Sequence, residues 1–175
     1  ELLNPLTYPS ARLYNESTWK HKFETKLALT FESGTGEKFA LEINPNDFSK
    51  PYSLALPVGN YNLIGSSITT DSFAQLSLRV AQKLAINSAD QKIIIRATSD
   101  FGLFTITNEN LGTGQPEDLL SNRKLELNGK FYYRYALMNT DSQIKILLAN
   151  GNNSFNLNWE PKSFTHRHLS LDNPT

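Results

Sequence analysis

The stretch Lys124-Leu125-Glu126-Leu127, Asn128-Gly129, Lys130-Phe131-Tyr132-Tyr133-Arg134-Tyr135-Ala136-Leu137 reads as strand, tight turn and strand. Asn-Gly supplies the positive φ that a two-residue type I′ turn demands at both of its positions. The second arm is rich in aromatic residues that suit a pleated, half-buried surface. Alternation puts Phe131, Tyr133 and Tyr135 on one face and Tyr132 with Arg134 on the other. The same period of two recurs on either side. Leu27, Leu29 and Phe31 alternate, Ser33-Gly34-Thr35-Gly36 turns the chain, and Phe39, Leu41 and Ile43 alternate on the return. Tyr52–Leu56 and Tyr61–Ile64 flank the reversal Pro57-Val58-Gly59-Asn60. Lys92–Ala97 is nearly all β-branched and predicts a strand buried on both faces. Leu103–Thr107 follows it. Gln143–Leu148 and Ser154–Trp159 form a third pair around Asn150-Gly151-Asn152-Asn153, and Pro161 ends it because proline cannot donate to a ladder.

Helical signals are few. Asp71–Ala85 reads as strand, because Leu76, Leu78 and Val80 alternate, and Glu117–Ser121 after Pro116 predicts at most one short helix. About ten strands at 8–12-residue spacing give an all-β fold, an antiparallel β-sandwich. Residues 1–20, with Pro5 and Pro9, read as an extended N-terminal arm. Residues 21–175 read as a single sandwich domain, with two small β subdomains dividing near residues 110–122 as the alternative.

Composition narrows the function classes. The 175 residues carry 17 Lys+Arg and 17 Asp+Glu, so no uncompensated basic surface is available for nucleic acid. No apolar run approaches the roughly 18–20 residues of a membrane helix. With no cysteine, disulfides, thiolate metal sites and cysteine nucleophiles are excluded together. The chain has no G-x-S-x-G elbow, P-loop or H-E-x-x-H, so the reading is non-enzymatic and calls for no cofactor. The candidate ligand-binding residues are Trp159, Tyr132, Arg134 and Trp19. An exposed ring beside a cation, or a flat indole, offers rigid contact area to sugars and peptides at low entropic cost. His166 and His168, two apart in a strand, share a face and are candidate metal ligands, with Asp172 or Glu160 as the third. The ordinary alternatives are aromatic core and a solvated C-terminal segment.

One stretch is more specific. Leu54-Ala55-Leu56-Pro57-Val58-Gly59-Asn60-Tyr61-Asn62-Leu63 resembles the L-P-x-G-x-Y-x-L turn of exported bacterial β-sandwich modules, a turn found also in transthyretin-like and other Ig-like extracellular modules. Pro57 and Gly59 make the reversal, and Tyr61 and Leu63 return to the core. Ile93–Ile106, the Tyr-rich Lys130–Tyr135 and the Asn-Gly turn after Ile144 follow in an order similar to lipoproteins of Bacteroidota, including fimbrillin-like modules. The resemblance covers residues 25–159. It implies an exported protein of the cell surface, outer membrane or periplasm, lipid-anchored through a cysteine upstream of Glu1, with a structural or adhesive role. Its implied partners are other envelope or pilus-like proteins, reached by strand pairing through an arm such as Leu2–Leu13. The alternative is a carbohydrate-binding surface module for glycan uptake.

Overall fold

The computed structural model describes residues 19–68, 71–149, 153–163 and 165–171. All-β character is plain: the described residues form thirteen strands and no helix, three strands more than the sequence count. The chain divides into two compact units, His21–Ser99 and Asp100–Thr175, with Trp19 and Lys20 belonging to the second. This division at Ser99–Asp100 lies ahead of residues 110–122. The N-terminal arm falls outside the described residues apart from its last two.

The first unit is one antiparallel sheet. Its strands are β1 (Leu27–Ser33), β2 (Lys38–Ile43), β3 (Gly59–Ser67), β4 (Arg79–Ile86) and β5 (Ala97–Thr98), ordered β2-β1-β3-β4-β5. Leu27, Leu29 and Phe31 of β1 and Tyr61 and Leu63 of β3 are buried, as period two requires. The β1–β2 turn closes with Ser33 N–H on the Glu37 carbonyl (2.8 Å), helped by Gly36 at φ 85°. The Pro57–Tyr61 reversal is held by its own tyrosine: Tyr61 Oη donates to the Pro57 carbonyl at 2.9 Å, with the ring buried.

Several expected elements differ. Tyr52–Leu56 is not a strand. Lys92–Ala97 is not a doubly buried strand either, since only Ala97–Thr98 joins the ladder and Ile94 is exposed. Glutamines replace backbone pairing along this stretch: Gln82 donates to the Ile94 carbonyl (3.0 Å) and accepts from Arg96 N–H (3.1 Å), and Gln91 donates to the Ala85 carbonyl (2.9 Å). The strand expected from Asp71 begins only at Arg79. Asp71 instead starts a turn, accepting Ala74 and Gln75 N–H at its carbonyl and Phe73 N–H at its side chain.

The second unit holds eight strands in two sheets. One sheet contains β6 (Phe101–Thr107), β9 (Glu126–Asn128), β10 (Phe131–Leu137) and β13 (His166–Leu169), ordered β13-β6-β10-β9. Its β13 runs parallel to β6, and its other pairs are antiparallel. The other sheet contains β7 (Glu117–Asp118), β8 (Arg123–Lys124), β11 (Ser142–Leu147) and β12 (Ser154–Trp159), ordered β12-β11-β7-β8. The helix expected at Glu117–Ser121 is therefore the short strand β7 and the residues after it. The β9–β10 hairpin forms, but with a different turn from the one expected. Asn128 pairs with Phe131, so the loop is Gly129-Lys130, and only Gly129 has positive φ, at 60°. Positive φ at the first loop position alone is the requirement of a II′ turn, whereas I′ needs it at both.

Ahead of β1, the chain is pinned to the first unit by side-chain and bridge contacts. Phe23 bridges Leu76, and the Asn46 amide both accepts from Phe23 N–H (3.0 Å) and donates to its carbonyl (2.8 Å). In this segment His21 lies 6.0 Å from the Phe23 ring, and burial pushes its pKa down from 6.5 to about 4. The folded protein therefore holds His21 neutral, whereas the unfolded chain takes up a proton below pH 6.5. Stability is complete above that pH and falls as pH drops toward 4, by up to about 3 kcal/mol from this group. Urea unfolding at pH 7, 5.5 and 4 should show a smaller loss in His21→Gln than in the wild type. An identical loss in the two proteins would remove His21 as the source.

Candidate functional site

The site grows from the central strand of one sheet in the second unit. In β10, Phe131, Tyr133 and Tyr135 are buried on one face, as alternation predicts. Arg134, on the other face beside Phe104 of β6, is also buried. Such a cation persists only when its charge and donors are matched. It finds its partners on the second sheet, where Ser142 of β11 stands opposite Trp159 of β12. The guanidinium lies 6.0 Å from the Trp159 ring centre, and Phe104 lies 5.6 Å from the same ring. Arg134 thus crosses the apolar layer between the two sheets.

Its counter-ion is Asp118 of β7, which is buried as well. Arg134 Nη1 donates to Asp118 Oδ2, and that oxygen also accepts from Ser121 Oγ at 2.6 Å. Asp118 Oδ1 accepts from Gln143 N–H at 3.1 Å and from Ser142 Oγ at 3.3 Å. Ser142 Oγ in turn accepts from Arg134 Nη1 (3.3 Å), and Arg134 Nε donates to the Tyr135 carbonyl (3.4 Å). Burial lowers the Arg134 pKa to about 10, so the guanidinium stays charged at neutral pH. Removing both ions from water is costly, and the network offsets that cost only while each lone pair and proton is used.

Gln143 carries this anchor to the surface. Its N–H is held by Asp118, its carbonyl accepts from Leu119 N–H (2.8 Å), and its side chain donates to Asn158 Oδ1 across the β11–β12 ladder (3.0 Å). Arg167 of β13 donates to the Asn158 carbonyl at 3.2 Å. These three polar side chains, with Trp159 and His166, line an open groove of about 880 Å³. That volume is within the roughly 300–1,000 Å³ of small-molecule sites.

The residues expected from the sequence are placed differently from one another. Trp159 and His166 line this groove, and Arg134 lies behind Trp159. Trp159 and Trp19 are 4 % and 6 % exposed, so neither presents a ring face for stacking, and Arg134 is committed to Asp118 instead of flanking an exposed ring. Trp19 packs on Tyr133 (5.0 Å), Phe131 (6.2 Å) and His166 (6.4 Å), with its buried Nε1 unbonded. Tyr132 is half-buried and is not among the residues that line the groove.

His166 and His168 do share a face, but they converge on a hydroxyl. Thr105 Oγ1 lies 2.6 Å from His166 Nε2 and 2.8 Å from His168 Nδ1. A hydroxyl donates once, so at most one of the two imidazoles accepts from Thr105 and at least one donates to it. Burial and, to a lesser extent, Lys130 lower the His168 pKa. Among the described residues no group of three His, Asp or Glu side chains is arranged to hold a metal. Glu160 is exposed, and Asp172 lies outside the described residues.

Sequence reasoning missed Asp118, Gln143, Asn158 and Arg167. The β11–β12 register does make the Gln143–Asn158 pair countable from the hairpin. No protein-family model matches the chain, and no characterised protein shows significant sequence similarity to it.

Removing one member of a buried pair strands the other, which costs about 3–5 kcal/mol. Asp118→Ala should lower the unfolding free energy by that amount in urea titration. The double variant Asp118→Leu with Arg134→Met should recover most of the loss. A cost below about 1 kcal/mol for Asp118→Ala, the value of an exposed pair, would contradict the buried network.

Proposed function

We propose that this chain is a non-enzymatic β-sandwich protein of the cell envelope, exported and lipid-anchored, with a structural or adhesive role in a surface assembly. The observation that carries the reading is the open edge of the first unit. Among the described residues, strand β2 ends the order β2-β1-β3-β4-β5 and pairs on one side only, with β1. Alternate N–H and C=O groups along its six residues therefore face away from the sheet. An edge of this length is a template for an added strand, which supplies affinity through main-chain hydrogen bonds without a chemical motif. Lys38 and Glu42 put charges of both signs on its exposed face, which disfavours indiscriminate pairing. The partner is another envelope or pilus-like protein, and the turn at Leu54–Leu63 supports the same reading by resemblance.

A second reading, a carbohydrate-binding module serving glycan uptake, is favoured by the groove beside Trp159. Its lining of amide, guanidinium and carboxylate groups beside a buried indole is the chemistry that holds sugar hydroxyls.

The strand-pairing role predicts a heat-sensitive ladder in immunoblots of native cell envelopes, collapsing to one band on boiling. A single unboiled band of monomer size, or recovery of the chain in the cytosolic fraction, would contradict it.

A further inference from the structure

We propose that the groove of the second unit takes a neutral oligosaccharide, recognised through its hydroxyl pattern by Gln143, Asn158 and Arg167 and not through ring stacking. The inference rests on the carbohydrate-binding reading and specifies its ligand class.

Charge balance is the first reason. The groove is lined by two basic side chains, Lys162 and Arg167, and two acidic ones, Asp141 and Glu160. Opposed charges in equal number give neither an anion nor a cation a net attraction, whereas a neutral polyol can use both kinds of group. A hydroxyl donates once and accepts twice, so it fits a wall that offers donors and acceptors side by side. The Gln143–Asn158 pair is such a wall. One amide hydrogen bond at 3.0 Å uses Gln143 Nε2 and Asn158 Oδ1. Gln143 Oε1 then remains as an acceptor and Asn158 Nδ2 as a donor, with no further hydrogen bond among the described residues. Arg167 spends Nη1 on the Asn158 carbonyl, which orients the fork, and its other N–H groups have no hydrogen bond among the described residues.

Preorganisation is the second reason. The recognition groups sit on strands β11, β12 and β13, and Gln143 is fixed from beneath by the buried Asp118 carboxylate. Groups already ordered lose little freedom on binding, so weak hydroxyl contacts yield measurable affinity. Trp159, at 4 % exposure, offers no stacking face. Selectivity therefore follows hydroxyl stereochemistry.

The test is titration of the full chain with gluco-, manno-, galacto- and xylo-tetraoses and with tetragalacturonate, followed by calorimetry. At least one neutral tetraose should bind saturably, with a Kd unchanged between about 0.05 and 0.5 M NaCl, because no ion pair is screened. Asn158→Ala should weaken that binding about ten-fold while leaving the circular dichroism spectrum unchanged. Gln143→Ala serves as a second, independent variant. Binding confined to tetragalacturonate, lost in salt and in Arg167→Ala, would overturn the neutral class and leave the carbohydrate reading standing. Neutral binding indifferent to both amide variants would overturn the groove as its location. Binding of no oligosaccharide would overturn this inference and the carbohydrate reading together.

Discussion

Two opposite charges inside an apolar layer can persist only as a pair, and the second unit is organised around that constraint. Arg134 leaves the central strand of one sheet, crosses beside Trp159 and meets Asp118 on the other. Hydrophobic packing of Phe104, Ile106, Ile144 and Ile146 supplies the area term, but it is non-directional. The ion pair and its hydroxyl partners, Ser121 and Ser142, add a requirement for one relative placement of β10, β7 and β11. In that placement the Gln143 amide faces a carboxylate oxygen, and its side chain reaches Asn158. The geometry of the groove is thus a consequence of a buried electrostatic contact.

Much of the framework was legible because it is local. The alternation in β1, β2, β10 and β12 marks core faces, and the Pro57–Tyr61 reversal closes on itself through one hydrogen bond. The β9–β10 hairpin is equally local, although pairing of Asn128 with Phe131 moves the loop by one residue and changes the turn that Gly129 must make. Lys92–Ala97 shows where local preference stops deciding. Its isoleucines favour a strand, yet glutamine side chains, not a backbone ladder, tie it to β4. Tertiary context overrides propensity in such edge segments.

The candidate site was far less legible, because its connections span sheets. Asp118 is one of 17 Asp and Glu residues in the sequence, and nothing in its neighbours Glu117 and Leu119 marks it as the partner of a residue sixteen positions away. Trp159 and Arg134 stand out in the sequence as candidates, but both are buried, and the polar side chains that line the groove beside Trp159 include the plainer Gln143, Asn158 and Arg167. The shared face of His166 and His168 followed from strand period. That the face meets Thr105 depends on the parallel pairing of β13 with β6, a long-range contact that no local pattern encodes.

Both proposed functions draw on this architecture: a β2 edge with no second partner among the described residues of the first unit, and a groove in the second. The dependence of the groove on the buried pair is tested most directly by native-state hydrogen exchange at one amide. Gln143 N–H donates to the Asp118 side chain, so its protection reports that carboxylate. Exchange as slow as that of the buried β11 residues Ile144 and Ile146 is the predicted result. Exchange at the rate of an exposed loop, with Ile144 and Ile146 still protected, would show that Asp118 does not hold the groove in place.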